Sequence, residues 1–348
     1  MMPPVCPPIR VLIVDDSAFA RHTFCKYLQE IAPEIRIIGT AWNGQDALQQ
    51  IPALAPDVIT LDMNMPQMDG LMTLREIMRT CPRPVIMVSA LTREGAQETL
   101  EALNLGAVDF VTKPTTSSQL PQVVQELAEK IRAAARARVM PIAFVPPPTR
   151  QPAHIHRLRP QEKVVVIGAS TGGPRALTAI LTALPQDLPA AVVVVQHMPS
   201  PFTRSLAERL DSISALSVQE AVHDMYLETG QVLVAPGGNH LEVTATGKIQ
   251  LKQSPAVNGV RPAVDVTLAS MATHFGKRTL GVIVTGMGRD GTYGAQLIRQ
   301  AGGLILAEHA STCVVWGMPR SVVEAEAADY IVPLQEIAGM ITRIIKGP

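Results

Sequence analysis

Cysteine is scarce and scattered in this chain, and neither sign of charge is in excess. Cys6, Cys25, Cys81 and Cys313 show neither metal-ligand spacing nor a paired framework across 348 residues. A thiolate metal centre and a disulfide scaffold are therefore excluded, and the cysteines read as reduced, mostly structural thiols. Thirty basic residues balance thirty acidic ones. That balance excludes the basic footprint of a nucleic-acid binder and a polybasic membrane patch, so partners must be recognised by shape and local chemistry. Long apolar runs are missing as well: "AAVVVV" at 190–195 falls far short of the roughly 20 residues a membrane-spanning helix needs. The start, "MMPPVCPPIRVLIVDD", interrupts any apolar segment with prolines and closes on two carboxylates, unlike a signal peptide. These absences lead to the expectation of a cytoplasmic protein with no membrane insertion.

What is present is 47% hydrophobic residues, enough to bury a core in each of two domains, which a chain of this length is expected to form. From Ile9 to about Arg138, short apolar runs ("RVLIVD", "RIIG", "DVITLD", "PVIMVSA", "DFVTKP") alternate with longer amphipathic segments. Five strands and five helices in βα order, with a parallel sheet, fit that alternation. "VVQELAEKIRAAARARV" closes the set, with Val123, Leu127 and Ile131 at helical spacing and a basic end, Lys130 to Arg138, expected as a solvated last turn. Six prolines then interrupt "MPIAFVPPPTRQPAHIHRLRPQEK" and favour an extended connector, in which His154 and His156 read as polar filler. A second α/β pattern begins at "KVVVIGAS" and runs through "AAVVVVQHM" and "TLGVIVTGMG" to "IAGMITRII". The expected division is 1–139, a connector over 140–161, and 162–348.

In the first half, Asp15 and Asp16 follow "VLIV" and Asp62 follows "DVITL", all at the C-terminal ends of expected strands. In an open parallel sheet those ends share one edge, where ligands bind. Clustered carboxylates suit a hard divalent cation such as Mg²⁺. Helix capping would account for Asp16 or Asp69 alone, but not for Ser89 and Lys113, which end the fourth and fifth strands. A cation flanked by a hydroxyl and an ammonium is suited to receiving a phosphoryl group on the middle carboxylate. In order and spacing, "VDDS", "LDMNMPQMDG", "VSA" and "TKP" resemble the receiver domain of two-component response regulators over about residues 9–130. The resemblance implies a flavodoxin-like (βα)5 fold with Asp62 as phospho-acceptor. It also implies Mg²⁺ held by Asp15, Asp16, Asp62 and the Asn64 backbone carbonyl, Ser89 as the phosphoryl-sensing hydroxyl, and Lys113 as counter-ion before a cis proline at Pro114. Phe110 occupies the position of the switch aromatic, often a tyrosine, so a hydroxyl-dependent switch is not implied here.

In the second half, "VVVIGASTGGPRAL" from Val164 to Leu177 admits two readings, a phosphate-cradling turn or an exposed serine. Both need a strand ending at Gly168 and a helix beginning near Gly173. A dinucleotide site would need an acidic residue ending the second strand, yet "AAVVVVQHMP" ends in Gln196 and His197. "GASTG" instead fits a G-x-S-x-G turn that lifts Ser170 out of the sheet edge. His197 leaves a neighbouring strand and Asp290 follows "GVIVTGMGRDG", so three strand ends can bring serine, imidazole and carboxylate together. Taken singly, His197 would be a bystander and Asp290 a helix cap. The order Ser, His, Asp also differs from the order in α/β-hydrolases.

"IGASTGGP", "VVQHMPSPFTRSLAERL", "VLVAPGGNHLEV", "RPAVDVTLASMA", "VTGMGRDGTYGA" and "CVVWGMPRSV" together resemble the catalytic domain of the chemotaxis protein-glutamate methylesterases over roughly 162–346. This implies a doubly wound, mostly parallel α/β hydrolytic domain with a Ser170, His197, Asp290 triad and no cofactor in the esterase site. Arg289 stands where some relatives have asparagine. Thr171 and Met287, in glycine-bordered turns, are candidate backbone donors to an oxyanion, while His240 and His309 read as structural. The implied activity is demethylation of glutamate methyl esters on methyl-accepting chemotaxis receptors, with deamidation of receptor glutamines. A chemotaxis histidine kinase is the implied phosphodonor, and the unphosphorylated receiver is expected to hinder the catalytic cleft. A binding protein with a degenerate hydrolase domain would lack a triad member, and all three are present. A DNA-binding regulator would need a basic recognition helix after the connector, and none is visible.

Overall fold

The computed structural model describes residues 7–137 and 155–347, and the chain divides into two compact units, Met1–Ala143 and Phe144–Pro348. The first unit alternates strands and helices: β1 Ile9–Val14, α1 Ala18–Ile31, β2 Ile35–Ala41, α2 Gly44–Leu54, β3 Val58–Asp62, α3 Gly70–Thr80, β4 Val85–Ser89, α4 Arg93–Leu105, β5 Asp109–Thr112 and α5 Leu120–Ala134. All of its strand pairs are parallel, in the order β2-β1-β3-β4-β5, the flavodoxin-like arrangement. The strands β3 and β4 are buried at every position, because helices cover both faces and no alternation with polar residues is needed. Helix starts are set by side chains that accept orphan backbone N–H groups: Ser17 for α1, Asn43 for α2, Asp69 for α3 and Thr92 for α4.

Two expectations for this unit need correction. Lys130 is not on a solvated turn: its side chain is 15% exposed, 2.7 Å from Glu126 and 3.4 Å from Asp109. Its aliphatic stem, on α5, turns inward and carries the ammonium over the Phe110 ring, 5.1 Å from its centroid. The second correction concerns Pro114: the cis peptide bond among the described residues is Arg261–Pro262, and Lys113–Pro114 is trans, the form X–Pro bonds favour by about 0.5–1 kcal/mol. Arg138 and His154 lie outside the described residues.

In the second unit the elements are β6 His156–Arg157, β7 Lys163–Ala169, α6 Gly173–Ala183, β8 Ala190–Gln196, α7 Ser200–Ile213, β9 Ser217–Glu220, β10 Glu228–Thr229, β11 Gln231–Val234, β12 His240–Val243, β13 Ile249–Lys252, α8 Val264–His274, β14 Thr279–Ile283, α9 Thr292–Gln300, β15 Leu304–Glu308, α10 Met318–Glu324, β16 Tyr330–Val332 and α11 Leu334–Lys346. Seven strands form a parallel sheet in the order β16-β15-β14-β7-β8-β11-β9. The valine run of β8 is buried throughout by helices on both sides, and β12 and β13 form a separate antiparallel hairpin. From the central pair the chain winds one way through β8 and the other way through β15. The strand order therefore reverses between β7 and β14, where open α/β sheets place their ligands. Part of the expected connector belongs to this unit: β6 pairs with β10, and His156 lies 3.0 Å from Glu162.

Candidate functional sites

At the carboxyl edge of the first sheet, Asp15, Asp16 and Asp62 each place a carboxylate oxygen within 4.8 Å of the others. Lys113, leaving β5, reaches Asp62 at 2.7 Å and Asp15 at 3.7 Å. Burial pushes Asp62 up to about 6, against the hydrogen bond and charge of Lys113, and Asp15 is raised for the same leading reason. Buried carboxylates with one shared ammonium form a strongly anionic pocket, and the donor set is all oxygen. It fits a hard divalent cation, which would offset this charge and favour ionisation. The Asn64 N–H points back to Asp62 Oδ1 at 3.4 Å. Ser89 ends β4 fully buried, its hydroxyl turned to the Gly95 carbonyl at 3.2 Å, and Lys113 N–H bonds the Ser89 carbonyl at 2.7 Å. Phe110 is 4% exposed. Asp15, Asp16, Asp62, Ser89 and Lys113 are thus brought to one edge, whereas Phe110 lies within β5, beside Met87 of β4.

In the second unit, β7 ends at Ala169, α6 begins at Gly173, and Ser170 occupies the turn between them. Gly172 takes a positive φ of 79° there, a conformation that favours glycine. Gly173 admits a close neighbour: a Cβ at that position would lie 1.9 Å from Gln196 Oε1. Gln196, 2% exposed, in turn donates its amide to the carbonyls of Ser170 at 3.0 Å and His197 at 3.3 Å. Where a dinucleotide fold would have an acid, this chain has a glutamine that ties two turns together. His197 N–H also bonds the Ala169 carbonyl, and Ser170 N–H bonds the Thr285 carbonyl, both at 3.1 Å. The turns after β7, β8 and β14 are therefore stitched to one another through the backbone.

His197 and Asp290 meet at 2.8 Å between Nε2 and Oδ2, with side chains 10% and 3% exposed. Asp290 Oδ2 also accepts from Val264 N–H at 2.6 Å, and its Oδ1 from Asp265 N–H and Gly291 N–H, both at 3.0 Å. The N-cap of α9 is Gly291, without a side-chain cap, so Asp290 does not cap this helix and its carboxylate faces the imidazole and the backbone donors instead. Burial alone would raise the Asp290 pKa, but the hydrogen bond and charge of His197, with the backbone donors, hold it below the ordinary carboxylate range. This carboxylate is ionised and oriented, and it meets the imidazole at Nε2.

Thr171 is 3% exposed and its carbonyl accepts from Thr285 Oγ1 at 3.0 Å. Met287 follows Gly286, whose close approach to Ser170 leaves no room for a side chain: a Cβ would lie 2.8 Å from Ser170 Cβ. His240 is fully buried, its ring bonding Ala263 N–H and the Pro255 carbonyl. His309 bonds Ser311 in its own turn. Sequence reasoning did not assign roles to Gln196, Asn258, Asp265 or Thr285. Their hydrogen-bond partners at the site lie 23 or more positions away, apart from Gln196 to His197 and Asn258 to Asp265, and no local pattern marks such contacts.

Two families of known proteins resemble the two parts of the chain. Residues 165–341 match the family model described as CheB methylesterase, and residues 11–125 match the response regulator receiver domain. A protein-glutamate methylesterase/protein-glutamine glutaminase of Symbiobacterium thermophilum is 52% identical, over 97% of both chains. Its namesake in Thermotoga maritima is 46% identical, over 97% of this chain and 98% of the relative. The crystal structure of the Thermotoga maritima CheB methylesterase catalytic domain superimposes with a TM-score of 0.52 at 48% identity, covering 53% of this chain and all of the other.

Proposed function

This chain belongs to the CheB methylesterase family and carries a response regulator receiver domain, and we propose that Ser170, His197 and Asp290 perform its hydrolysis. It is a hydrolase of protein-glutamate methyl esters and protein glutamines in chemotaxis, regulated by phosphorylation. The observation that carries the residue-level reading is the His197–Asp290 contact beside the Ser170 turn, at the point where the strand order reverses.

In this reading Ser170 Oγ attacks the γ-carbonyl carbon of the glutamyl ester while His197 Nδ1 takes its proton. The Asp290 carboxylate, bonded at Nε2, stabilises the imidazolium that forms. His197 then returns the proton to the methoxy oxygen as the C–O bond breaks and methanol leaves. Water, deprotonated by the same nitrogen, attacks the acyl-serine; Ser170 recovers its proton, and the glutamate is released. With glutamine the leaving group is ammonia and the acyl-enzyme is the same. Backbone N–H groups of Thr171 and Met287 are the proposed donors to the oxyanion.

In the receiver, Asp62 is the proposed phospho-acceptor. Asp15, Asp16 and Asp62, with the Asn64 carbonyl, would hold Mg²⁺, which supplies charge compensation for the phosphoryl oxygens. Lys113 bonds the acceptor, and Ser89 supplies a hydroxyl that must leave the Gly95 carbonyl to meet a phosphoryl group. Phe110 is the proposed switch aromatic. The proposed partners are methyl-accepting chemotaxis receptors as substrate and a chemotaxis histidine kinase as phosphodonor, in the cytoplasm. The test is methanol release from methylated receptor membranes by the native chain and by Ser170→Ala: the variant is expected to be inert, and half-native release would remove Ser170 as nucleophile.

A further inference from the structure

The contacts of Asp290 include one side chain besides His197. Asn258 Nδ2 lies 3.1 Å from Asp290 Oδ1 and 2.8 Å from Asp265 Oδ2. An amide nitrogen has two hydrogens, so these two bonds use both of them. Asp265 is a second buried carboxylate, 7% exposed, at the start of α8, and its Oδ1 accepts from Gly294 N–H at 2.8 Å. Burial and the charge of Asp290 raise its pKa. Two carboxylates thus share one neutral donor.

The position of that donor is built with care by the backbone. Val257 and Val260 form an antiparallel bridge around Asn258 and Gly259, which take φ of +54° and +79°, as the Asn-Gly pair of a tight primed turn requires. The base of the loop is held at several points. The His240 ring spans the Pro255 carbonyl and Ala263 N–H, and Arg261 bonds the carbonyls of Gln253 and Ser254. Most of the loop is exposed, yet the Asn258 amide reaches inward to the carboxylates.

We propose that Asn258 is a positioning residue for hydrolysis, its amide fixing the rotation of the Asp290 carboxylate so that Oδ2 faces His197 while it separates Asp290 from Asp265. The proposal rests on the triad reading above. With Oδ1 held by Asn258 together with two backbone N–H groups, Oδ2 is the oxygen presented to the imidazole. Removing the amide leaves two buried carboxylates without their shared donor, and the orientation of Asp290 then depends on backbone donors alone.

The test uses the full chain, with methanol release from methylated receptor membranes as readout, for Asn258→Gly, Asn258→Asp and Asn258→Ala. Glycine and aspartate both tolerate positive φ and keep the turn, but neither offers the donor. For both, kcat is expected to fall roughly 10–100-fold, the range a hydrogen bond to an ionised group converts to, with KM little changed. Weakening of the low-field proton resonance of the His197 Nε2–H to Asp290 bond should accompany the loss. Native kcat in the glycine and aspartate variants, with impairment confined to alanine, would reduce Asn258 to a turn residue and overturn the proposal. Ser170→Ala runs alongside: if it is inert while Asn258→Gly is fully active, the positioning role alone fails, whereas an active Ser170→Ala overturns the triad and this inference with it.

Discussion

His197 approaches Asp290 through Nε2, at 2.8 Å, which makes Nδ1 the nitrogen free of the carboxylate. If Nε2 carries the hydrogen of the neutral ring, Nδ1 is the nitrogen that the proposed triad would use as base. Backbone bonds link the histidine turn to the serine turn and the serine turn to the turn leading to the aspartate, so the geometry belongs to the sheet edge and not to one flexible loop.

The proposed triad is expected to lose its function as a unit. Ser170→Ala and His197→Ala should each lower kcat for methanol release by several orders of magnitude, and the double variant should cost little more than either. Losses that multiply in the double variant would mean that the two residues act separately.

Gly286→Ala tests the close approach beneath Ser170, the proposed nucleophile. The added Cβ would lie 2.8 Å from Ser170 Cβ and 2.4 Å from Met318 Sδ. The methionine sulfur can yield, but the serine turn must shift, and a displacement of about 1 Å costs on the order of 100-fold in rate. A fall in kcat with cooperative thermal unfolding retained is the expected result, and native turnover would show that the turn absorbs the methyl group.

Buried Asp62, the proposed phospho-acceptor, predicts a pH dependence of stability. Asp62 is raised from 3.8 to about 6, so the folded chain holds this proton more tightly than the unfolded chain. Below pH 3.8 both forms are protonated and there is no penalty; the penalty grows between about pH 4 and 6 and is full above. Without Mg²⁺, ionised Asp62 therefore destabilises the receiver by on the order of 3 kcal/mol at neutral pH. Asp62→Asn should raise the receiver transition temperature at pH 7.5, and the gain should shrink as pH falls towards 4. A gain that is unchanged between these pH values would contradict the assignment. The same variant should take up no acid-labile phosphate from a small phosphodonor with Mg²⁺.

Regulation is testable by cutting the chain. Because β6 pairs with β10 and His156 bonds Glu162, the catalytic fragment should begin no later than Ile155. We expect it to be more active than the unphosphorylated whole chain, by roughly 5–150-fold, and indifferent to phosphodonor. Methyl-ester hydrolysis by fragment, whole chain, and whole chain with phosphodonor and Mg²⁺ provides the measurement. A fragment no faster than the unphosphorylated chain would rule out inhibition by the receiver.

Much of this protein is determined by its sequence alone. Runs such as "VLIV" and "AAVVVV" must be buried on both faces, which dictates parallel sheets between helices, and the small residues of "GASTGG" dictate a tight strand-to-helix turn. Since strand ends share an edge, Asp15, Asp16, Asp62, Ser89 and Lys113 are expected at one edge, and Ser170, His197 and Asp290 at another. Tertiary structure decided what those patterns leave open. Lys130 stands in a basic stretch that reads as solvated, yet the carboxylates of Asp109 and Glu126 and the Phe110 ring receive it. The dipeptide Asn258-Gly259 signals a turn, but not that its amide crosses to Asp290, 32 positions away. Nor does the sequence show which imidazole nitrogen faces the carboxylate. Helix and strand follow from local periodicity and burial, whereas the direction of a side chain out of a turn depends on which distant backbone groups pack against it.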